Sequence, residues 1–309
     1  MIKKYSVIFL TDTIGEIFSF QKLNEGFQNI IYKIESGKGL YCLRVSKRNS
    51  PKHVQYEIDI VQSLQTLPTI RLQKIHNQYI FSLEGKTAIL YSYIDWEIAE
   101  DNTLEELVEV GGFLADFHNL CGHITCPEDR IQLYDLPEWK ISEYQKIILE
   151  GQIPYTEMLP EITRELRENR LSDNLPSGPI HADLWPRNIL WHGGKIVAVL
   201  DFDNAYHGPY ILDIGKSIMF FSSHEWNFDF SKAQAFLSWY VAKRTLLENE
   251  KRELYRAIKY AFLSHIFVDY YMYATRVTTS KYFDYIISDL YPSYGSFITQ
   301  RDYNDFLLK

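Results

Sequence analysis

The hydrophobic period of this chain changes once, near Asp95, and that change limits the folds open to it. Before it, the signals are mostly those of strands. Ile30–Ile34 and Leu40–Val45 are β-rich runs, and Ser36-Gly37-Lys38-Gly39 between them reads as a hairpin turn. Val54, Ile58, Val61 and Leu64 recur at helical spacing until Leu67-Pro68 ends the pattern. Short strands follow around Ile75–Leu83 and Ala88–Ile94, joined across Glu84-Gly85-Lys86. After Asp95 the period is helical. Thr103-Leu104-Glu105-Glu106 is a capping box, in which hydroxyl and carboxylate satisfy donors that a helix start leaves unpaired. Leu104, Leu107, Val108, Gly111, Leu114 and Phe117 then line one helix face. Helical patterns also fit 138–151, 157–170, 231–247 and 250–276. One compact β segment, Ile180 to Phe202, interrupts them and is broken by His192-Gly193-Gly194-Lys195. The expected fold class is α+β and bilobal. Residues 1–94 form a small antiparallel-sheet lobe and 95–309 a larger, mainly helical one, with a cleft between lobes as the favoured place for a cofactor.

Composition narrows the function classes. With 46% apolar and 23% charged residues over 309 positions, the chain is neither disordered nor collagenous. Asp and Glu outnumber Lys and Arg by 40 to 32, a net charge of −8, where a nucleic-acid binder shows a basic surplus. The excess acid favours an amine-bearing ligand over a polyanion. Cys42, Cys121 and Cys126 are odd in number and irregular in spacing, which suggests neither a disulfide framework nor a metal site. The first residues, MIKKYSVIFLTDTIGE, lack a small-residue cleavage site, and no segment reaches the ~18–20 apolar residues of a membrane span. The expectation is a cytoplasmic protein with no nucleic-acid or membrane partner.

The chemistry concentrates in Ile180-His181-Ala182-Asp183-Leu184-Trp185-Pro186-Arg187-Asn188-Ile189-Leu190, followed by Asp201-Phe202-Asp203. A strand–turn–strand between them would bring Asn188 and Asp201 to the same end of two neighbouring strands, with Asp183 in the loop before. Phosphoryl transfer needs this kind of set, because its catalysis is mostly positioning and neutralisation of phosphate charge. Mg²⁺ prefers one or two protein oxygens, with phosphate and water completing its octahedron, and Asn188 and Asp201 suit that. Asp183 is then free to accept the proton of an attacking hydroxyl.

His-x-Asp-x-x-x-x-Asn followed by Asp-Phe-Asp resembles the aminoglycoside phosphotransferase and choline kinase superfamily, small-molecule kinases of protein-kinase-like fold, homoserine-kinase-type members included. The resemblance implies ATP, with GTP as the other nucleotide to consider, and Mg²⁺. It makes Asp183 the catalytic base, Asn188 and Asp201 the metal ligands, and His181 a structural member of the loop. His207-Gly208-Pro209-Tyr210-Ile211-Leu212-Asp213-Ile214 resembles the family's Gly-Asp-Pro-x-x-Asp-Leu-Ala, so Asp213 is a buried carboxylate bracing that loop. Weaker matches extend over most of the chain. The stretch from Leu23 to Ile30, with Gly26, resembles the phosphate-covering turn. Arg44 falls at the nucleotide-binding basic position, with Lys47 as a rival, and Glu57 falls where its ion-pair partner is expected. Ile89–Ile94 resembles the adenine hinge, and Leu114-Ala115-Asp116-Phe117-His118 a helix-end motif. The turn has one glycine, Asp203 stands where protein kinases have glycine, and no Ala-Pro-Glu follows. These departures argue against a protein kinase.

On the acceptor side, Asp95, Glu97, Glu100 and Asp101 cluster around Trp96, and the late helix carries Asp269, Tyr270, Tyr271 and Tyr273. Asp95, Glu97, Asp269 and Tyr270 are the acceptor-binding candidates. The function expected is transfer of the γ-phosphoryl group to a hydroxyl of a small, amine-bearing molecule: an aminoglycoside-type antibiotic, homoserine, or choline or ethanolamine. The alternative is a catalytically silent nucleotide-binding or spore-coat-type structural relative.

Overall fold

The computed structural model describes residues 4–26, 28–95, 98–99, 101–130 and 132–299. By packing, the chain separates into two compact units. The first is Met1–Glu97 with Ile124–Arg130 and Leu190–Asp203; the second is Ile98–His123, Ile131–Ile189 and Asn204–Lys309.

The first unit is built on an antiparallel sheet. Its strands are β1 (Ile17–Glu25), β2 (Asn29–Ser36), β3 (Gly39–Ser46), β4 (Leu72–Gln73), β5 (Ile80–Leu83) and β6 (Lys86–Ser92), in the order β1-β2-β3-β6-β4, with β5 also on β6. Helix α1 (Thr11–Ile14) precedes the sheet, and α2 (Pro51–Ser63) lies between β3 and β4 in sequence. The predicted turn closes the β2–β3 hairpin, pairing Ser36 with Gly39. Gly39 has φ +133°, a conformation that a Cβ disfavours. Val7, Leu10, Ile14, Tyr32, Ile34, Leu43, Val45 and Leu90 belong to the core. The apolar run near the N-terminus is thus spent on this core. Helix α2 starts at Ser50, whose hydroxyl accepts from His53 N–H, and buries Val54, Ile58 and Val61 as their spacing predicts.

The second unit is mainly helical: α3 (Leu104–Cys121), α4 (Glu138–Glu150), α5 (Leu159–Glu168), α6 (Tyr210–Ser222), α7 (Phe230–Lys243), α8 (Glu248–Ala274), α9 (Ser280–Tyr285) and α10 (Tyr291–Ile298). The capping box forms, with Thr103 N–H on Glu106 Oε2 at 2.9 Å and Glu106 N–H on Thr103 Oγ1 at 3.2 Å. Helix α3 packs on α7 so closely that a Cβ on Gly111 would lie 2.0 Å from the Phe236 carbonyl oxygen. The segment from Ile180 to Phe202, which belongs to the first unit from Leu190 onward, is less simple than one hairpin. Here the chain runs from the end of β7 (Ser177–Ile180) through β8 (Ile189–His192) and β9 (Lys195–Val199). β8 pairs with β9, whereas β7 pairs antiparallel with β10 (Tyr206–Pro209), a strand that the sequence does not announce. Helix α6 is likewise not visible in the sequence. Every residue except Tyr210 and Phe220 is buried, so it has no exposed polar face and no amphipathic period to read. Two-residue strands β11 (Ser223–His224) and β12 (Asn227–Phe228) pair with each other. Among the described residues no helix is long and apolar enough to cross a membrane.

Candidate active site

In the second unit, the loop between β7 and β8 carries His181, Asp183 and Asn188. Ala182, just before Asp183, has φ +63°, a left-handed conformation costing a residue with a Cβ of order 1–3 kcal/mol. Such a conformation persists where its surroundings over-determine it, and here Asp213 does so. From the first turn of α6 its carboxylate accepts the His181 N–H at 2.7 Å on Oδ2 and the Ala182 N–H at 2.8 Å on Oδ1. Oδ2 also lies 3.1 Å from Nε2 of buried His118, whose Nδ1 is 2.7 Å from the Tyr240 hydroxyl. An ionised carboxylate can only accept, so His118 donates from Nε2 and accepts from Tyr240 on Nδ1. Burial pushes Asp213 up, but the hydrogen bond from His118 and the His181 N–H outweigh it and hold the carboxyl below the usual range. His118, at the end of α3, is thus a hydrogen-bonded buried support.

Asp183 is half-buried. Asn188 Nδ2 donates to the Asp183 carbonyl at 2.8 Å and reaches Asp183 Oδ2 at 3.4 Å, while Asn204 Nδ2 approaches the same Oδ2 at 3.3 Å. Using the Asn188 amide nitrogen inward leaves its amide oxygen as the atom able to ligate a cation. Three further groups belong to this region: Lys216 on α6, and His265 and Asp269 on α8. Lys216, Asp269 and Asp183 are close enough to shift one another electrostatically. Burial lowers Lys216 to about 7 against the raising effect of Asp183 and Asp269. Burial raises Asp269 to about 8, opposed by Lys216 and aided by Asp183. Of the predicted acceptor residues, then, Asp269 falls in this cluster. Tyr270 does not: its side chain is buried, its ring packs edge-on against Phe283 at 5.0 Å, and its hydroxyl donates to the Tyr155 carbonyl at 2.8 Å. The motifs of the sequence do not single out Lys216 or His265, although a lone lysine inside the mainly apolar stretch Tyr210–Ser222 is a usable signal.

In the first unit, Arg44 on β3 forms a buried ion pair with Glu57 on α2. Burial opposes the Arg44 charge, but Glu57, Asp203 and Asp201 outweigh it and raise its pKa, so Arg44 stays charged. Asp201 is exposed and has φ +68°. Asp203 is buried and accepts from Asn29 Nδ2. Burial raises the Asp203 carboxyl, and the charge and hydrogen bond of nearby Asp201 raise it further. Arg130 holds this turn, donating from Nη2 to the Phe202 carbonyl at 3.2 Å and the Asp203 carbonyl at 2.6 Å, with Nη1 3.6 Å from Glu57. Nothing in the sequence marks Arg130, because its role depends on main-chain oxygens far along the chain. Gly26 lies in an exposed turn, its N–H on the Asn29 carbonyl at 2.9 Å and its carbonyl accepting from Lys47 Nζ at 2.8 Å. Lys47 is therefore tied to the turn and Arg44 to α2. Asp95 is exposed after β6; Trp96, Glu97 and Glu100 lie outside the described residues.

The chemistry of the donors fits a hard divalent cation. Asn188 in the second unit offers an amide oxygen, and Asp201 in the first an exposed carboxylate. Among the described residues no group of three or more His, Cys, Asp or Glu is arranged to hold a metal by itself.

The family described as the phosphotransferase enzyme family (APH) matches residues 19–244. Homoserine kinase of Methylobacillus glycogenes is 26% identical over 251 residues, covering 77% of this chain and 74% of that protein. Homoserine kinase of Burkholderia cenocepacia is 23% identical over 292 residues, covering 84% and 83%. Among solved structures, an amicoumacin kinase in complex with AMP-PNP, Ca²⁺ and Ami has a TM-score of 0.68 at 16% identity, covering 95% of this chain and 93% of that one. A microcompartment-associated aminopropanol kinase has a TM-score of 0.66 at 17% identity, covering 99% and 100%. At such identities these structural likenesses establish a kinase-like fold.

Proposed function

Because the chain belongs to the phosphotransferase enzyme family, we propose that it transfers the γ-phosphoryl group of ATP to a hydroxyl of a small, amine-bearing molecule. The observation that carries this reading is the clamped loop. Asp213 accepts two successive backbone N–H groups and so supports the strained Ala182 that presents Asp183. A carboxylate held this way is pre-organised to receive a proton without reorganising during the reaction.

Asp183 accepts the acceptor hydroxyl's proton as the new oxygen–phosphorus bond forms and the bridging bond to the leaving nucleoside diphosphate breaks. Asn188 and Asn204 orient Asp183 through their side-chain amides. Asp203 has a different task, in the turn that carries Asp201, where Arg130 grips its carbonyl. Asn188 and Asp201 would hold a divalent cation, for which Mg²⁺ has the matching donor preference, and that ion would neutralise phosphate charge. Arg44, kept charged and fixed by Glu57, and the Gly26 turn with Lys47 serve the nucleotide. Asp269 serves the amine of the acceptor. This divides the labour between a nucleotide-binding part, residues 1–94, and a catalytic and acceptor-binding part, residues 95–309.

The test is a panel of hydroxyl-bearing amines, among them homoserine, ethanolamine, choline, aminopropanol and aminoglycosides, scored by ADP release with Mg²⁺. At least one should stimulate release in the wild type and none in Asp183→Asn. If no acceptor does so, the enzyme reading fails and the silent nucleotide-binding relative takes its place.

A further inference from the structure

Lys216 is completely buried, yet its amine has no role in the chemistry described so far. Its Nζ lies 3.1 Å from His265 Nδ1 and 3.2 Å from the centroid of the Tyr134 ring, with the Phe220 ring at 5.5 Å. The face of an aromatic ring attracts the positive end of such a group, which favours Nζ as the donor to Nδ1. Even a neutral amine keeps hydrogens to donate, so this bond does not require the charge. With Nδ1 accepting, the single proton of a neutral imidazole must sit on Nε2. That nitrogen lies 3.2 Å from the Tyr282 hydroxyl, its hydrogen-bond partner, and 3.2 Å from Asp269 Oδ2. Oδ2 is out of solvent and makes no hydrogen bond of its own, so the N–H dipole beside it is a source of favourable field. The Asp269 side chain retains 10% exposure, which therefore falls on its other atoms. Tyr134 stacks on the His265 ring at 5.5 Å and Phe220 meets it edge-on at 5.0 Å, so the ring has little freedom to turn away.

We propose that Lys216 is a positioning residue that acts through His265: it fixes the Nε2–H tautomer, and the positive end of that N–H keeps Asp269 Oδ2 turned inward so that the other carboxylate oxygen faces the acceptor. The assignment of Asp269 to the acceptor rests on the proposed function; the tautomer does not. The groups facing His265 are Lys216 and Phe220 from α6, Tyr134 from the segment before α4, Tyr282 from α9 and Asp269 from its own helix. Asp183 acts on Lys216 and Asp269 from the catalytic loop. Burial and the Lys216 charge both keep the imidazole neutral.

The test is ¹⁵N NMR of the full chain labelled in histidine, with the His265 ring assigned by its loss in His265→Gln. In the wild type this ring should show the neutral Nε2–H pattern unchanged from pH 6 to 8.5. In Lys216→Met that pattern should give way to a mixture of tautomers or to titration within the range. In parallel, Lys216→Met should raise the acceptor KM about tenfold or more, the scale of one hydrogen bond to a charged group, with the ATP KM unchanged. An Nδ1–H tautomer or a titrating ring in the wild type overturns the proposal, and this arm needs only the assignment variant to fold. So does a Lys216→Met protein with the wild-type pattern, or with acceptor and ATP KM altered alike. If no acceptor in the panel is phosphorylated, the proposed function falls while the two spectra still decide the tautomer.

Discussion

Single side chains set the chemistry, and two aspartates differ in how they do it. In the proposed reaction Asp183 has to be presented, and replacing it removes the proton acceptor. Asp183→Asn should therefore lower kcat by roughly 10²–10⁴-fold with an unchanged melting temperature, the range typical of general-base loss. Asp269 is buried, and burial raises its carboxyl to about 8. A carboxyl raised in the folded state contributes its full stability below its unfolded value, near 3.8, and loses it as pH rises from there through about 8. Asp269→Asn, which cannot ionise, should accordingly gain stability relative to wild type as pH rises from 5 and level off above about 8, as read from melting temperatures across that range. A cationic acceptor prefers the ionised carboxylate, so the wild-type acceptor KM should fall as pH rises from 6 to 8.

Elements transmit these demands. The contact of α3 with α7 depends on Gly111, since a methyl there would meet the Phe236 carbonyl. The same two helices carry His118 and Tyr240, whose hydrogen bond leads to Asp213 and the catalytic loop. Gly111→Ala should destabilise the protein by about 1–3 kcal/mol in urea unfolding, the usual scale of overpacking, and should reduce kcat as the loop support slackens. The chain has 23 tyrosines, and part of their explanation lies here as well. Tyr144 stacks on Tyr271 at 3.7 Å and Tyr273 on Phe283 at 4.3 Å, so much of the aromatic content packs α8 against its neighbours.

At the scale of the whole molecule, the acidic surplus and an anionic nucleotide have to be reconciled, and in the proposed function a buried cation such as Arg44 does that locally. Arg44→Met should raise the ATP KM and leave the acceptor KM unchanged, while Asp269→Asn should do the reverse, in a steady-state matrix of the two substrates. Asp201→Ala should abolish the divalent-ion dependence of nucleotide binding, measured by calorimetry with and without Mg²⁺. The change of period at Asp95, the Thr103 capping box and the hairpin at Ser36–Gly39 are legible because each is a local pattern, set by residues a few positions apart. The catalytic loop is legible because its polar residues are themselves close in sequence. Helix α6 and strand β10 are not, because a helix buried on all sides shows no period and a strand of four residues is defined by its partner, β7. By itself the sequence determined the fold class, the family resemblance and the residues offered for phosphoryl transfer. Only the tertiary structure decided that Arg130 holds the Asp201 turn, that Tyr270 packs in the core, and that Lys216 and His265 stand beside Asp269. The physical reason is that burial and hydrogen-bond partnership are made between residues far apart in the chain, and no local pattern encodes them.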